Sequence, residues 1–128
     1  MAIRIVRLGS ARQKGEGARI GTVRRPPRGV PRSRYATDDW YDVWLPNLSP
    51  TAELVSQGRA SDSPKAWGIF ARRFRSEMNR PEARHLLDAL AALSHQSNFS
   101  IGCYCDDESH CHRSVLRELL EKRGAKLA

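Results

Sequence analysis

Between Ser63 and Gly124 the spacing of apolar residues changes twice, and this constrains the fold class more than any other feature of the chain. Ser63-Pro64 reads as an N-cap followed by a proline at the first helical position. Trp67, Phe70, Phe74 and Met78 then recur at three- and four-residue steps with arginines between them, which predicts an amphipathic helix with an aromatic core face. Pro81 opens a second helix carrying Ala83, Leu86, Leu87, Leu90 and Leu93 on one face. Phe99–Cys105 follows as a β-prone run, and Val115, Leu116, Leu119 and Leu120 mark a last helix that ends at Gly124.

Upstream, Ile3–Leu8 and Ala18–Arg24 read as strands, and the prolines and glycine of Arg25–Arg34 forbid regular structure there. Asp38–Pro46 suits either a strand or a helix with Trp40, Tyr41 and Trp44 on one face. Ser49 and Pro50 read as the cap and first position of a further helix. Strand, helices, strand, helix is the order of an α/β fold: a small parallel or mixed sheet with helices packed on it. At 128 residues the expectation is one compact domain over 1–128 with an Arg/Pro-rich loop at 24–34. No apolar run reaches the roughly 20 residues of a membrane span, and no secretory pattern begins at Met1, so the chain reads as soluble and cytoplasmic.

Charge is distributed unevenly. Residues 1–34 hold ten Arg or Lys and one acid, Glu16, whereas the rest of the chain is close to neutral. Such a block attracts phosphates, although charge runs also serve simply as solvated surface. The three cysteines, Cys103, Cys105 and Cys111, all lie within nine residues, which is the pattern of a site more than of a disulfide framework.

Strand alternation puts Cys103 and Cys105 on one face, and the loop after them leads to a helix starting near Cys111-His112-Arg113. Ligands of open α/β sheets bind at such carboxyl ends of strands. One reading makes Cys105 or Cys111 a nucleophile supported by His112, with Arg113 as an oxyanion fork. Arg113 lies eight positions after Cys105, two more than in a cysteine-phosphatase loop, and Asp106, Asp107 and Glu108 oppose an incoming anion. A second reading makes Cys103, Cys105, His110, Cys111 and His112 a pool of ligands for tetrahedral zinc. Against it, Cys-x-Cys lacks a partner motif, and adjacent Cys111 and His112 on a helix diverge by about 100°; no metal ligand is therefore assigned. A third reading is structural: Cys103 is core, Asp107 or Ser109 caps the last helix, and His112 and Arg113 tie down the loop.

Several segments together are familiar: Arg28-Gly29-Val30, Trp44–Pro50, the Arg-rich helix Phe70–Met78, and above all Cys103-Tyr104-Cys105 with Cys111-His112-Arg113-Ser114. On these the chain resembles the YeaO-like family, a bacterial domain family numbered four-eight-eight. The resemblance covers nearly the whole chain and implies a compact α/β domain. It departs from the commoner branch at Val23, where an aspartate usually stands, and at Pro26, where a tryptophan does. Many members of that branch lack the cysteine cluster, which turns attention to Arg24 and Arg28 as shared site residues.

The functional expectation is an intracellular domain that binds a phosphate-bearing ligand at the Cys105–Arg113 loop, with a cysteine-dependent enzyme and a pure binding domain both left open. Cys105, Cys111 and His112 are its candidate catalytic residues, and Arg24, Arg28 and Arg113 its candidate ligand contacts. The alternative is a non-enzymatic nucleic-acid-binding module using the basic 24–34 segment, with Tyr35, Trp40 and Tyr41 to stack bases. The sequence identifies no cofactor, substrate or oligomeric state.

Overall fold

The computed structural model describes all 128 residues. Four strands, β1 (Ile3–Arg7), β2 (Ala18–Gly21), β3 (Val43–Trp44) and β4 (Phe99–Cys103), form one sheet in the order β1-β4-β2-β3, every pair parallel. Four helices accompany it: α1 (Ala52–Arg59), α2 (Pro64–Met78), α3 (Pro81–Leu93) and α4 (His112–Lys122). The expected α/β class is the observed one, with the sheet fully parallel. No helix is long and apolar enough to cross a membrane.

β4 is central and all five of its residues are buried, as expected of a strand covered on both faces. It stacks Ile101 beside Ile5 and Ile20 of its neighbours. Gly102 allows the close approach of β1: a Cβ there would lie 2.7 Å from a Leu8 methyl and 2.8 Å from the Val6 carbonyl oxygen. The main core joins Ile3, Ile20, Phe99 and Ile101 of the sheet to Phe70, Phe74, Leu87, Leu116 and Leu120 of the helices. α2 carries its aromatic stripe inward and packs against α1, α3 and α4.

Ser63 caps α2 by accepting from the Ala66 N–H, and Pro64 and Pro81 open α2 and α3 as expected. Several boundaries differ from the sequence reading. α1 starts two residues late, with Thr51 as its cap and Ser49 not involved. Glu77 of α2 fixes Thr51 in place, accepting from both its N–H (3.0 Å) and its hydroxyl (2.7 Å), while the buried Ser49 hydroxyl donates to the Pro50 carbonyl. β2 ends at Gly21, three residues before the expected Arg24, although the Thr22 N–H still donates to the Gly102 carbonyl at 2.9 Å. Asp38–Pro46 is no helix: it is a turn running into β3, with Tyr41 buried and Trp44 exposed. Neither Asp107 nor Ser109 caps α4; Asp107 caps a single 3-10 turn at Glu108–His110, accepting from the Ser109 N–H, and Cys111 occupies the α4 N-cap.

Candidate functional site

In a parallel sheet all carboxyl ends of the strands lie along one edge. Here β1, β2 and β4 deliver Leu8, Val23 and Cys103 to that edge, where they meet Tyr41 and Cys111 in a second, smaller core. Above it opens a cavity of about 1120 Å³, at the upper end of ligand-pocket size. Its apolar wall includes Leu8, Val23, Trp40, Trp67 and Phe70. Tyr104 packs edge-on against Trp40 with centroids 5.9 Å apart, and its hydroxyl donates to the Arg25 carbonyl at 2.9 Å, holding that backbone over the opening.

The charge of the wall is one-sided. Arg7, Arg24, Arg25, Arg28 and Arg59 line it, and no carboxylate does. Two of these arginines are already engaged. Arg7 pairs with Asp106 at 2.7 Å, and Arg24 spends its donors on three carbonyls. The exposed guanidiniums of Arg25, Arg28 and Arg59 make no hydrogen bond or ion pair within the chain. Of the three arginines named from the sequence, Arg28 faces the cavity unengaged and Arg24 faces it engaged. Arg113 is 3 % exposed, stands off the wall, and donates to the Cys105 carbonyl at 2.6 Å. Its Nε has no protein partner. Arg113 therefore braces the Cys105 loop from behind.

Sequence reasoning misses Arg59 and brings in Arg25 only as a phosphate contact of the nucleic-acid alternative. Arg25 lay inside the basic block, so the signal was present but undivided. Arg59, the last residue of α1, reaches the cavity only because α1 packs on α2, and no local pattern announces that.

The cysteines divide by exposure. Cys105 is exposed on the cavity wall, while Cys103 and Cys111 are buried with their sulfurs 3.0 Å apart. His112 is buried next to them, its Nδ1 lying 3.7 Å from the Cys111 sulfur. Its Nε2 sits 2.7 Å from the Thr22 carbonyl oxygen, and since a carbonyl only accepts, Nε2 carries the proton. Thr22 is thus a site residue the sequence did not single out; its own hydroxyl donates to the Gly102 carbonyl.

These surroundings set the proton affinities. The neighbouring Cys103 and Cys111 side chains, helped by the positive charge of Arg113, hold the Cys105 thiol well below its ordinary value. Cys103 moves the other way, because its neighbours Cys105 and Cys111 and its burial favour the thiol. For Cys111 the hydrogen bond with Cys103 favours the thiolate, but the bond to Cys105 together with burial raises it overall. Burial pushes His112 down to about 4, so the imidazole is neutral at pH 7.

A family model matches residues 3–124, from the start of β1 past the end of α4. The chain belongs to the DUF488-N3a family, described as the active DUF488-N3 subclade. This agrees with the resemblance carried by the cysteine, tryptophan and arginine segments. No curated protein and no solved structure matches the chain. The description of the DUF488-N3a family names no substrate or reaction, so the chemistry is argued from the site.

Proposed function

We propose that this chain binds a small phosphate-bearing ligand in the cavity at the carboxyl edge of its sheet, with Cys105 as the thiol presented to it. One observation carries the reading: three unpaired arginines and no carboxylate face a single cavity of ligand size. Arg25, Arg28 and Arg59 would supply the planar donor forks that suit phosphate oxygens. The aromatic wall of Trp40, Tyr104 and Trp67 would cover an apolar or planar remainder of the ligand. Of the candidate catalytic residues, Cys105 alone is exposed, which supports it as the thiol that meets the ligand.

The nucleic-acid alternative uses the same arginines but has less support. Tyr41 is buried and Tyr35 is half-buried against it at 5.2 Å, which leaves Trp40 as the one of the three candidate stacking rings on the cavity wall.

The test is calorimetry with inorganic pyrophosphate as the probe. Arg25→Ala and Arg28→Ala should each weaken binding by roughly 10- to 100-fold, the loss of one charged hydrogen-bonding group, with the melting temperature unchanged. Pyrophosphate should also slow alkylation of Cys105 by iodoacetamide. Unchanged affinity in the double variant would refute the reading.

A further inference from the structure

The buried half of the cysteine cluster has no part in the ligand reading, and its geometry points to something else. Cys103 Sγ, Cys111 Sγ and His112 Nδ1 lie within 4.8 Å of one another, and all three residues are buried. We infer that they form a zinc site whose fourth position opens into the arginine-lined cavity.

The objection from sequence was that adjacent Cys111 and His112 diverge when both are helical. Cys111 is not helical. As the N-cap of α4 it has φ −133° and ψ 150°, an extended conformation, and only His112 begins the helix. That single change of backbone turns both side chains toward Cys103. The missing second Cys-x-x-Cys is likewise supplied by topology, since the end of β4 and the start of α4 meet at the sheet edge.

The distances suit zinc. Bonds of about 2.3 Å to sulfur and about 2.0 Å to nitrogen, at tetrahedral angles, separate ligand atoms by about 3.5–3.8 Å. The Cys111 sulfur and the His112 nitrogen stand 3.7 Å apart. The two sulfurs, at 3.0 Å, need to part by less than about 1 Å, and the Cys103 sulfur and the His112 nitrogen, within 4.8 Å, to close by up to about 1.3 Å, adjustments that side-chain rotation supplies.

The surroundings of the donors are those of metal ligands. Histidines that bind metal commonly pass their other ring N–H to a backbone carbonyl, which fixes the tautomer and the ring plane. His112 does this to Thr22 at 2.7 Å, leaving Nδ1 as a bare lone pair aimed at the cysteines. The Cys103 sulfur accepts the backbone N–H of Cys105 at 3.4 Å, a contact that favours a thiolate there. Two thiolates, one neutral imidazole and one Zn²⁺ carry no net charge, so the site does not repel the buried Arg113 beside it.

The experiment is metal analysis of protein purified from zinc-supplemented medium and kept reduced, followed by replacement of the zinc with cobalt. About one zinc per chain is expected, with a tetrahedral cobalt spectrum and charge-transfer intensity of two thiolates. Cys105→Ser should keep the metal, while Cys103→Ser and Cys111→Ser should each bind it at least about tenfold more weakly. Since the buried serine variants are able to misfold, the cobalt spectrum of the unaltered chain is the independent readout. Reduced protein that takes up neither metal would overturn the inference. So would folded Cys103→Ser and Cys111→Ser variants that still hold zinc, or loss of zinc from Cys105→Ser, which would mean a closed three-thiolate site. The pyrophosphate test reads Arg25 and Arg28 while the metal test reads Cys103 and Cys111, so either idea can fail alone.

Discussion

Glu16 and Arg19 offer the sharpest test of how this fold is held. Glu16 is 1 % exposed and Arg19 is fully buried. The Glu16 carboxylate accepts from Arg19 Nε at 2.8 Å, from a terminal nitrogen of Arg19 at 3.0 Å, from the Ser100 hydroxyl at 2.8 Å and from the Gln13 N–H at 3.3 Å. Arg19 uses its other terminal nitrogen on the carbonyls of Ser10 and Asp39, each at 2.8 Å. The pair thus ties the segment after β1 and the turn before β3 to β2 and β4. Glu16→Gln keeps the shape and one acceptor but leaves a buried guanidinium without its counter-charge. Breaking a buried pair in this way costs about 3–5 kcal/mol. For a domain of this size that corresponds to a melting temperature lower by about 10–20 °C.

Acid should produce the same loss in the unaltered chain. Burial by itself would raise the Glu16 acid, but the bonds from Arg19, Ser100 and Gln13 prevail and hold it at about 2, against an ordinary 4.5. Because the folded value is depressed, the stabilisation is complete above pH 4.5 and is lost as pH falls toward 2, about 3 kcal/mol in all. Urea denaturation of both proteins between pH 7 and pH 2.5 measures this directly. The gap between them should be widest at neutral pH and should narrow below about pH 4.5. A neutral-pH cost under about 1 kcal/mol, or a gap that stays constant with pH, would refute the argument.

Three further expectations use other parts of the molecule. Gly102→Ala forces a methyl group against Leu8 and the Val6 carbonyl and should cost about 1–3 kcal/mol in chemical denaturation; a neutral outcome would mean that β1 and β4 part easily. The buried Tyr41 hydroxyl has no protein partner, so Tyr41→Phe should raise stability by about 1 kcal/mol, and a loss of that size would reveal a partner for the hydroxyl. If a single-stranded oligonucleotide binds at low salt, anisotropy titrations should give a slope of log K on log salt near −2, as about three free arginines provide; a slope near −6 would mean that the whole basic block engages.

Legibility followed the range of the forces involved. α2 and α3 were readable because a serine cap, two prolines and a stripe of Phe and Leu are local signals that tertiary contacts reinforce. β4 was readable as a buried strand and misjudged by only two residues. The two-residue β3 was not readable, since it exists by pairing with Ile20 and Gly21 of β2 and by the turn at Asp39, whose φ is 63°. The location of the site at the strand–helix junction was legible from the order of elements. The meeting of Cys103 with Cys111 was not, because it turns on one extended residue at a helix start.

The arginines show why composition alone misleads at such a site. The first 34 residues look like a basic arm because their acids are elsewhere in the sequence. Folding brings those acids back: Arg7 finds Asp106, Arg12 finds Asp39 and Asp42, and Arg34 finds Asp38. Arg19 is buried on Glu16, and Arg24 is bound to carbonyls. Much of the apparent charge is therefore mortar between loops and the sheet. At the carboxyl edge the balance differs, because Pro26 and Pro27 hold Arg25 and Arg28 over a wall that contains no acid, and α1 brings Arg59 to meet them. An anion approaching this surface therefore meets concentrated, unneutralised guanidinium where Cys105 is exposed, and this coincidence, more than the net charge, favours a ligand site there.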